Sequence, residues 1–290
     1  MTAERAALVL VATPIGNLGD LSPRAVDELR NADEIAAEDT RRTRALLSAA
    51  GVRAGNRLRA VHAHNERVEA RRIVESIRSG RRVVYVSDAG MPGIADPGER
   101  LVRACVDSGC AVEVVPGPSA LVAALVVSGL PTGRFHFEGF LPRRGAARRE
   151  RLAAIARADA TVVCFESPHR VAGTLADLRD ACGAGRPVAV VRELTKAFED
   201  VVRGTLGDVA EAIGCSGEAR GEHVIVVGAA PGGAEVVTDA SLDDAARSAL
   251  GAGASARDAA AAVSQELGVP KRRAYDAVLR VRGGGDVRRG

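Results

Sequence analysis

Short apolar runs and amphipathic segments alternate along the first half of the chain. The apolar runs have the length of β-strands and lie at residues 6–11, 34–37, 58–63, 83–87 and 111–115. Ser22-Pro23, Asp39 and Asn65 precede amphipathic stretches and are typical residues for a helix N-terminus. Strand and helix patterns that alternate at this spacing predict βαβ units and a mainly parallel sheet.

The elements follow a different order after residues 129–133, a stretch that contains glycine and proline. Strand patterns lie at residues 135–141, 161–165, 188–191, 201–205 and 223–227, and helical patterns at 148–158 and 171–181. Because two of these strands are nearly adjacent in sequence, we predict a mixed sheet rather than a purely parallel one. Beyond the linker 229–233, helical patterns at 256–267 and from Pro270 onward resemble a helix-turn-helix in outline.

These patterns predict an α/β protein in three parts. We expect an N-terminal α/β domain at residues 1–128, a second α/β domain at 129–230, and a linker with a small C-terminal helical domain at 231–290. The chain has 290 residues, of which 47% are hydrophobic and 27% charged. This composition is typical of globular proteins, and the chain is long enough for a core without disulfide or metal support.

Several classes of protein are excluded by features that the sequence lacks. The longest stretch without a charge or a breaker, residues 119–128, is half of the ~20 residues that a membrane span needs. The first apolar run leads straight into a Pro/Gly loop, unlike a signal peptide. The five cysteines include no CxxC pair, which indicates free thiols in a reducing compartment and argues against structural zinc. We therefore expect a cytoplasmic protein with no membrane contact and no metal.

The charges are nearly balanced overall but unevenly distributed. The formal net charge is +3. Residues 141–157 carry six arginines and one glutamate, and residues 271–290 carry seven basic and two acidic side chains. Two local basic clusters on a balanced chain fit contact with a phosphate backbone. A solvated helix face explains the same pattern, and charge alone leaves both interpretations open.

Three loops rich in glycine and proline each follow a predicted parallel strand. They lie at residues 13–20, 87–98 and 116–120, and the second contains two aspartates. Because the carboxyl ends of parallel strands meet at one edge of the sheet, we expect the loops to gather there and to line a ligand site. Glycine lets backbone amides approach a ligand closely, and proline fixes the shape of a loop.

The motifs of several common ligand sites are missing from the chain. It contains no G-x-G-x-x-G fingerprint, no G-x-x-x-x-G-K-[ST] loop, no G-x-S-x-G elbow and no H-E-x-x-H helix. The expected pocket therefore offers acidic groups and backbone amides but little positive charge. Such a pocket suits a zwitterionic or cationic small molecule better than a di- or triphosphate.

Five segments, in this order along the chain, carry a resemblance to a known family. They are VATPIGNLGD at 11–20, AEDTR at 37–41, VSDAGMPGIADPG at 86–98, PGPSA at 116–120 and FESPHR at 165–170. The chain resembles the ribosomal RNA small subunit methyltransferase I family over residues 6–228. That family is a branch of the tetrapyrrole-methylase-like (class III) S-adenosylmethionine-dependent enzymes. The tail at 256–280 is similar to the family's C-terminal helical domain.

The resemblance implies a fold, a cofactor and a reaction. We expect two α/β domains with S-adenosyl-L-methionine in the cleft between them, and a homodimer. The implied activity is 2′-O-methylation of a cytidine ribose in the decoding region of 16S rRNA, in the small ribosomal subunit. One position departs from the family pattern, because Met91 stands where a small polar residue, Thr, is expected. This departure bears on loop packing more than on function.

The resemblance and the loop positions suggest a set of cofactor-binding residues. It consists of Pro14, Gly16, Asp88, Met91, Gly93, Ser119, Ala120 and Phe165. Asp88 can accept a hydrogen bond from the amino group or a ribose hydroxyl of the cofactor, although a simple Asx-turn is the alternative. The amides of Ser119 and Ala120 begin a helix and are therefore available as donors. Phe165 either covers the adenine or belongs to the core.

Two further sets of residues complete the expected site. The candidates for a general base are Glu166, His169, Lys196 and Glu199, each of which is also explained as a solvated loop charge. The candidates for contact with RNA are Arg143, Arg144, Arg148, Arg149, Lys271, Arg272 and Arg273. In-line methyl transfer needs accurate positioning of the ribose hydroxyl and removal of its proton.

Two other functions fit the same fold and are kept as alternatives. One is methylation of a carbon atom of a tetrapyrrole, against which the two basic clusters argue, because a small anionic macrocycle needs neither. The other is a non-catalytic, cofactor-sensing regulator that binds nucleic acid through its tail. Against the regulator, the tail shows no recognition helix with base-reading side chains.

Overall fold

A computed structural model describes residues 6–215, 221–231, 238–267 and 269–285 of the chain. The chain divides into two compact units, which are described separately. Unit 1 comprises Met1–Ala156 with Thr161–Gly228, and unit 2 comprises Arg157–Ala160 with Ala229–Gly290. In the described part of unit 1, the strands form two five-stranded sheets.

The first sheet of unit 1 is wholly parallel. Its strands are β1 (Ala7–Val11), β2 (Glu34–Ala37), β3 (Leu58–Ala60), β4 (Arg82–Val86) and β5 (Ala111–Val115), in the spatial order β3-β2-β4-β1-β5. The helices are α1 (Pro23–Asn31), α2 (Thr40–Ala49), α3 (Glu66–Arg78) and α4 (Glu99–Asp107). Leu29 and Leu47 belong to one buried apolar cluster, and Ile73 and Leu101 to another. The prediction of a parallel α/β sheet is confirmed.

Two of the three residues that were predicted to begin helices in this part of the chain cap a helix. Ser22 and Asp39 each accept a hydrogen bond from a backbone amide of the helix that follows them. Asn65 precedes α3, but its side-chain oxygen accepts from the amide of His62 instead, so it does not cap the helix. Glu66, next in the chain, is buried and accepts hydrogen bonds from the amides of Gly98, Arg100 and Leu101. Its carboxylate therefore caps α4 from another helix.

The second sheet of unit 1 is mixed, as predicted. Its strands are β6 (Phe135–Phe140), β7 (Thr161–Glu166), β8 (Pro187–Arg192), β9 (Asp200–Thr205) and β10 (His223–Val227), in the spatial order β6-β7-β10-β8-β9. The pair β6–β7 is parallel, whereas the other three pairs are antiparallel. Its helices are α5 (Ala120–Ser128), α6 (Ala146–Arg157), α7 (Val171–Cys182) and α8 (Leu206–Cys215).

Two features of this half were not expected from the sequence. Helix α5 precedes the predicted boundary at 128/129, yet Ala124 and Leu125 pack with Val163 and Val226 of the second sheet. Helix α8 follows β9 without a loop, and the glycines at both of its ends made the segment look irregular. The predicted boundary at 128/129 therefore lies between the strands of the two sheets, but α5, which precedes it, packs on the second sheet. The division into these two domains stays a prediction.

Unit 2 contains a small helical core. Its helices are α9 (Asp239–Gly251), α10 (Ala256–Glu266) and α11 (Lys271–Gly285). The sequence patterns predicted only α10 and α11, and the side chain of Ser255 caps α10 by accepting from the amide of Asp258. Helix α9 was missed because its buried positions, Leu242 and Ala246, lie among acidic and small residues. Gly232 and Gly233 of the predicted linker, and Gly268 directly after the helical pattern at 256–267, lie outside the described residues.

No helix in the described parts of the chain is both long and apolar enough to cross a membrane.

Candidate active site

The three loops predicted from the sequence come together at the carboxyl edge of the first sheet. Thr13 and Gly90 exchange two backbone hydrogen bonds, with N···O distances of 2.9 and 3.0 Å. The amide of Ala12 donates to the carbonyl of Val115, at 3.2 Å. A Cβ atom at Gly117 would stand only 2.9 Å from the Cβ of Ala12, so this close approach requires glycine. The edge is thus built from all three loops.

A cavity of about 370 Å³ opens at this edge of unit 1. Loops of the first sheet contribute three carboxylates, the start of α5 contributes backbone amides, and the second sheet with its loops contributes two carboxylates and most of the large apolar groups. Its acidic lining residues are Glu38, Asp88, Asp96, Glu166 and Glu222. Its main apolar and aromatic lining residues are Ile15, Met91, Phe140, Phe165, Val191 and Leu194. A cavity lined by both carboxylates and apolar groups suits a ligand that is both amphipathic and cationic.

Asp88 is held between a backbone amide and an arginine. Its Oδ1 accepts from the amide of Asp39, at 3.0 Å, and its Oδ2 lies 3.5 Å from the guanidinium of Arg42. Because the amide belongs to the loop after another strand, the carboxylate is not engaged in an Asx-turn of its own loop. The amide of Asp88 in turn donates to Glu38, at 3.3 Å. Burial and the nearby Asp88 carboxylate raise the pKa of Glu38.

Asp96 is a further acidic group of the cavity, and it does not belong to the set of site residues expected from the sequence. Burial, with help from the carboxylates of Glu38, Asp88 and Glu222, raises its pKa to about 6, although a hydrogen bond with Ser87 acts in the opposite direction. The preceding residue, Ala95, has a φ of 61°, an unfavourable backbone conformation for a side chain that is not glycine. The only signal in the sequence was the second aspartate of the loop at 87–98.

The start of α5 and two aromatic rings form the rest of the cavity wall. The side chain of Ser119 makes no capping hydrogen bond, so the first amides of α5 have no such partner. Phe165 packs edge-on against Phe137 and Phe140, with ring centroids 4.9 and 5.7 Å apart. Phe140 is 55% exposed although it lines the cavity. Phe165 therefore belongs both to the core of the second sheet and to the cavity surface.

Five of the eight expected cofactor residues line this cavity, and three do not. The five are Asp88, Met91, Ser119, Ala120 and Phe165. Pro14 and Gly16 instead line a neighbouring groove of about 330 Å³, which shares Arg42 and Asp88 with the cavity. Lys196 and Thr195 occupy the space where a Cβ of Gly16 would stand, so Gly16 serves the packing of two loops. Gly93 lines neither space and lies against Gly98.

Among the four expected catalytic residues, Glu166 lines the cavity and is the most constrained. Its side chain is buried, and Oε1 accepts from the amide of Ser167 at 2.8 Å. Oε2 accepts from the hydroxyl of Thr174 at 2.7 Å and lies 3.2 Å from the guanidinium of Arg170. Both oxygens are thus committed to partners within the protein. This arrangement indicates a positioning role more than proton transfer.

The other three expected catalytic residues lie outside the cavity lining. His169 is exposed. The ammonium of Lys196 lies 2.9 Å from Glu193, whose pKa it lowers, and 3.8 Å from Glu222. Glu199 accepts from the amide of Thr195 at 2.6 Å. Lys196 and Glu199 therefore tie together the loop in which Glu193 and Thr195 adopt left-handed backbone angles.

The basic cluster around α6 contains two kinds of arginine. Arg143, Arg144 and Arg149 are exposed and pair with no acidic side chain of the described chain. Arg148 is mostly buried, because its guanidinium binds Asp177 at 2.7 Å, the carbonyl of Pro142 at 2.9 Å and the hydroxyl of Thr174 at 3.0 Å. Arg148 thus supports the hydroxyl that donates to Glu166, whereas the other three face solvent.

Comparisons with known proteins agree with this architecture. The family model described as Tetrapyrrole (Corrin/Porphyrin) Methylases matches residues 7–210. A solved cobalt precorrin-4 methyltransferase, CbiF, superposes with a TM-score of 0.59 at 19% identity, over 79% of this chain and 97% of that one. A uroporphyrin-III C-methyl transferase from Thermus thermophilus, complexed with S-adenyl homocysteine, superposes with a TM-score of 0.53 at 24% identity, over 77% and 96%. These structural likenesses establish the fold.

Curated relatives are similar over almost the whole chain. A protein from Mycobacterium tuberculosis (strain CDC 1551 / Oshkosh) is 46% identical over 276 residues, 95% of both chains. One from Synechocystis sp. (strain ATCC 27184 / PCC 6803 / Kazusa) is 40% identical over 279 residues, 96% of this chain and 99% of that protein. Both are named Ribosomal RNA small subunit methyltransferase I. The chain therefore belongs to the tetrapyrrole methylases and, within them, to the ribosomal RNA small subunit methyltransferase I family.

Proposed function

We propose that this protein is an S-adenosylmethionine-dependent methyltransferase that acts on the 2′-hydroxyl of a cytidine in the decoding region of 16S rRNA. The names of its relatives support an rRNA substrate. The observation that carries the proposal is the cavity of unit 1, in which carboxylates face an apolar and aromatic wall. Because its proposed substrate is ribosomal RNA, we expect the protein to act in the cytoplasm, and we keep the expectation of a homodimer.

The lining of the cavity fits the methyl donor group by group. The cofactor carries two cationic centres, a carboxylate, a ribose and an adenine. Asp88 and Glu38 provide acceptors for an ammonium group or for ribose hydroxyls. The first amides of α5 provide donors for a carboxylate at a helix N-terminus. Phe165 and Leu194 provide an apolar surface for the adenine.

Two tasks remain for the side chains of the protein in the reaction. When bound, the cofactor supplies an electrophilic methyl group on its sulfonium. The protein must then hold the ribose hydroxyl in line with that group and accept its proton. Asp96 is our choice for the acceptor, because it lines the cavity and has a pKa of about 6. At neutral pH it is ionised, yet basic enough to take a proton during transfer.

Glu166 is expected to act through its neighbours rather than on the substrate. Its two oxygens are held by Ser167, Thr174 and Arg170 at the end of β7. The residue that precedes Glu166, Phe165, forms part of the cavity surface. By fixing this strand end, Glu166 keeps the aromatic wall in place for the cofactor. His169, Lys196 and Glu199, the other candidates for the general base, do not line this cavity, and their catalytic role stays a prediction from the sequence.

We assign the first contacts with RNA phosphates to the exposed arginines of the α6 region. Arg143, Arg144 and Arg149 face solvent without acidic partners among the described residues. Arg148 is omitted from this set, because its guanidinium is committed to Asp177 and Thr174. In unit 2, Lys271 and Arg272 are exposed, whereas Arg273 lies 3.7 Å from Asp239.

A labelling experiment separates the proposal from its alternatives. The full-length protein is incubated with tritiated S-adenosylmethionine and either small ribosomal subunits, naked 16S rRNA or tetrapyrrole precursors. We expect label in the rRNA, at a linkage that resists alkaline hydrolysis because its 2′-oxygen is methylated. Label in a tetrapyrrole would favour the carbon methyltransferase. Cofactor binding without transfer to any substrate would favour the regulator.

A further inference from the structure

Helix α11 of unit 2 presents three different faces. Ala274, Ala277 and Val278 are fully buried and belong to the apolar core of this unit. A second face is committed to ion pairs with α9. There Arg273 lies 3.7 Å from Asp239, and Arg280 lies 2.9 Å from Asp243. Both faces are therefore used in holding the three helices together.

The third face of α11 has no such structural use. It consists of Lys271, Arg272, Tyr275, Leu279 and Arg282, which we call the α11 outer face. Their spacing places all five within about 100° of the helix circumference. Each is exposed, with Tyr275 at 43% and Leu279 at 48%. Among the described residues, none of its three cations forms an ion pair, so this face is both basic and partly apolar.

The arrangement around Tyr275 distinguishes this face from an ordinary solvated surface. Lys271 and Arg272 precede the tyrosine by four and three residues, and Leu279 follows it by four, so all three are its direct neighbours on the helix. Cations alone would be sufficient for a double helix, which offers only phosphates and groove edges to such a face. An aromatic ring among the cations gains binding energy when an unpaired base can stack on it.

We propose that the α11 outer face binds an unpaired segment of RNA, with one base stacked on Tyr275. Lys271, Arg272 and Arg282 contact the flanking phosphates, and Leu279 extends the apolar surface beneath the base. The nature of the nucleic acid rests on the proposed function. The surface differs from the one expected from sequence, because it adds Tyr275 and Arg282 and leaves out Arg273, which is paired with Asp239.

The absence of tryptophan from the chain makes a direct test available. In the full-length protein, Tyr275→Trp places a single fluorophore on the α11 outer face. We expect a single-stranded oligoribonucleotide to quench its emission in a saturable way, and the same RNA in a duplex to quench it far less. Val106→Trp is the matched control, because Val106 is 57% exposed on α4 and is expected to give no quenching.

Four further variants separate stacking from charge. Tyr275→Ala should weaken single-strand binding roughly 5- to 100-fold, whereas Tyr275→Phe should bind like the wild type, because the ring rather than the hydroxyl makes the contact. Arg272→Gln and Arg282→Gln should each lower the slope of log affinity against log salt by about 0.7. Tyr275→Ala should leave that slope unchanged. Cofactor affinity should be the same in all of them.

Defined outcomes would overturn the proposal. Equal quenching by single-stranded and duplex RNA would reduce the surface to a simple electrostatic one. Emission that shifts with protein concentration in the absence of RNA would assign the face to a second copy of the chain. The proposed function is tested separately, because RNA binding at Tyr275 does not depend on methyl transfer. Stacking without any transfer to rRNA would contradict the function and leave this surface standing.

Discussion

The two sides of the cavity in unit 1 treat their acidic groups in opposite ways. On the second-sheet side, both oxygens of Glu166 have donors, and one of those donors is itself held by Arg148. On the first-sheet side, Glu38, Asp88 and Asp96 stand close to one another, Arg42 is the cation beside both Glu38 and Asp88, and the pKa values of Glu38 and Asp96 are raised. A fully compensated carboxylate stabilises the fold. Incompletely compensated carboxylates can attract a cation or accept a proton.

The largest effect is a loss of stability, and it is expected when Glu166 on the second-sheet side of the cavity is removed. Glu166→Ala removes the buried acceptor of Thr174 and leaves Arg170 without its acidic partner, which should cost about 3–5 kcal/mol of unfolding free energy. Urea unfolding followed by circular dichroism measures this loss. Glu211→Ala is the control, because Glu211 is exposed on α8 and forms no ion pair within the described chain, so that its removal should change stability by less than about 0.5 kcal/mol.

Glu166→Gln tests the same residue without creating a cavity. A glutamine keeps the shape and can still accept from Thr174, so the protein should fold and retain most of its activity. If instead Glu166→Gln folds normally and abolishes transfer while cofactor affinity is unchanged, then Glu166 is the proton acceptor. That result would assign proton transfer to the second-sheet side of the cavity and not to Asp96 on the first-sheet side.

The next largest effect is a loss of cofactor affinity, and it is expected from a change on the first-sheet side of the cavity. Asp88→Ala should weaken the binding of S-adenosylmethionine by about 1–3 kcal/mol, the loss of a charge-assisted hydrogen bond. Isothermal titration calorimetry measures it. Asp27→Ala is a suitable control, because Asp27 is an exposed aspartate on α1 whose cation partner is also an arginine. Unchanged affinity in a folded Asp88→Ala protein would remove Asp88 from the site.

Asp96→Asn should raise stability while it lowers activity. The pKa of Asp96 is about 6 in the folded protein, against an ordinary value of 3.8 for an aspartate. The folded state therefore holds the proton more tightly, and stability is lost as the pH rises from about 4 to about 6 and the carboxylate ionises. Replacing it should restore about 1 kcal/mol at neutral pH, after allowance for the partial solvent exposure. Thermal unfolding should show a larger gain at pH 7.5 than at pH 5, because only about half of the loss has occurred at pH 5.

The role of Asp96 in transfer follows from the same ionisation. A carboxylate accepts a proton only when it is ionised, so the wild-type rate of transfer should rise with pH through about 6 and then level off. Asp96→Asn should be slow at all pH values, without this inflection. A pH profile with the same inflection in wild type and variant would assign the proton acceptor to another group.

The sequence predicted the framework of this site better than its electrostatics. The three loops follow parallel strands, and topology alone brings the carboxyl ends of such strands to one edge, so their meeting could be predicted. The surroundings of Asp96 depend on Glu38 and Glu222, which come from other segments of the chain. The ion pair of Arg148 with Asp177 joins α6 to α7. Such distant pairings have no local pattern, so burial and charge compensation could not be predicted.

Helix α9 was missed for a related reason. It has few large apolar residues, and its buried positions are Leu242 and Ala246. Alanine contributes little contrast to a pattern of hydrophobic and polar positions, so the helical period is weak there. In β1 and β4, by contrast, nearly every position is apolar and buried, and the strands could be recognised from their length and composition.

The smallest expected effect concerns the arginines of the α6 region, where the contrast between compensated and free charges recurs. A variant with Arg143, Arg144 and Arg149 replaced by glutamine should fold normally, because these side chains have no partners among the described residues. If each contacts an RNA phosphate, the slope of log affinity against log salt should fall by about two to three, at roughly 0.7–0.9 per contact. Filter-binding titrations with 16S rRNA at several salt concentrations measure the slope.

Arg148→Gln is the matched control for that variant, because it removes one arginine of the same cluster whose guanidinium is already committed to Asp177, Pro142 and Thr174. Its salt slope should equal that of the wild type, while its unfolding free energy should fall by about 1–3 kcal/mol, since buried acceptors lose their donor. Superimposable titrations for the triple variant and the wild type would make the exposed arginines a solvated surface. A lower slope for Arg148→Gln alone would mean that the ion pair of Arg148 with Asp177 opens and that Arg148 binds an RNA phosphate. Arg148 would then act as a binding residue and not as a structural one.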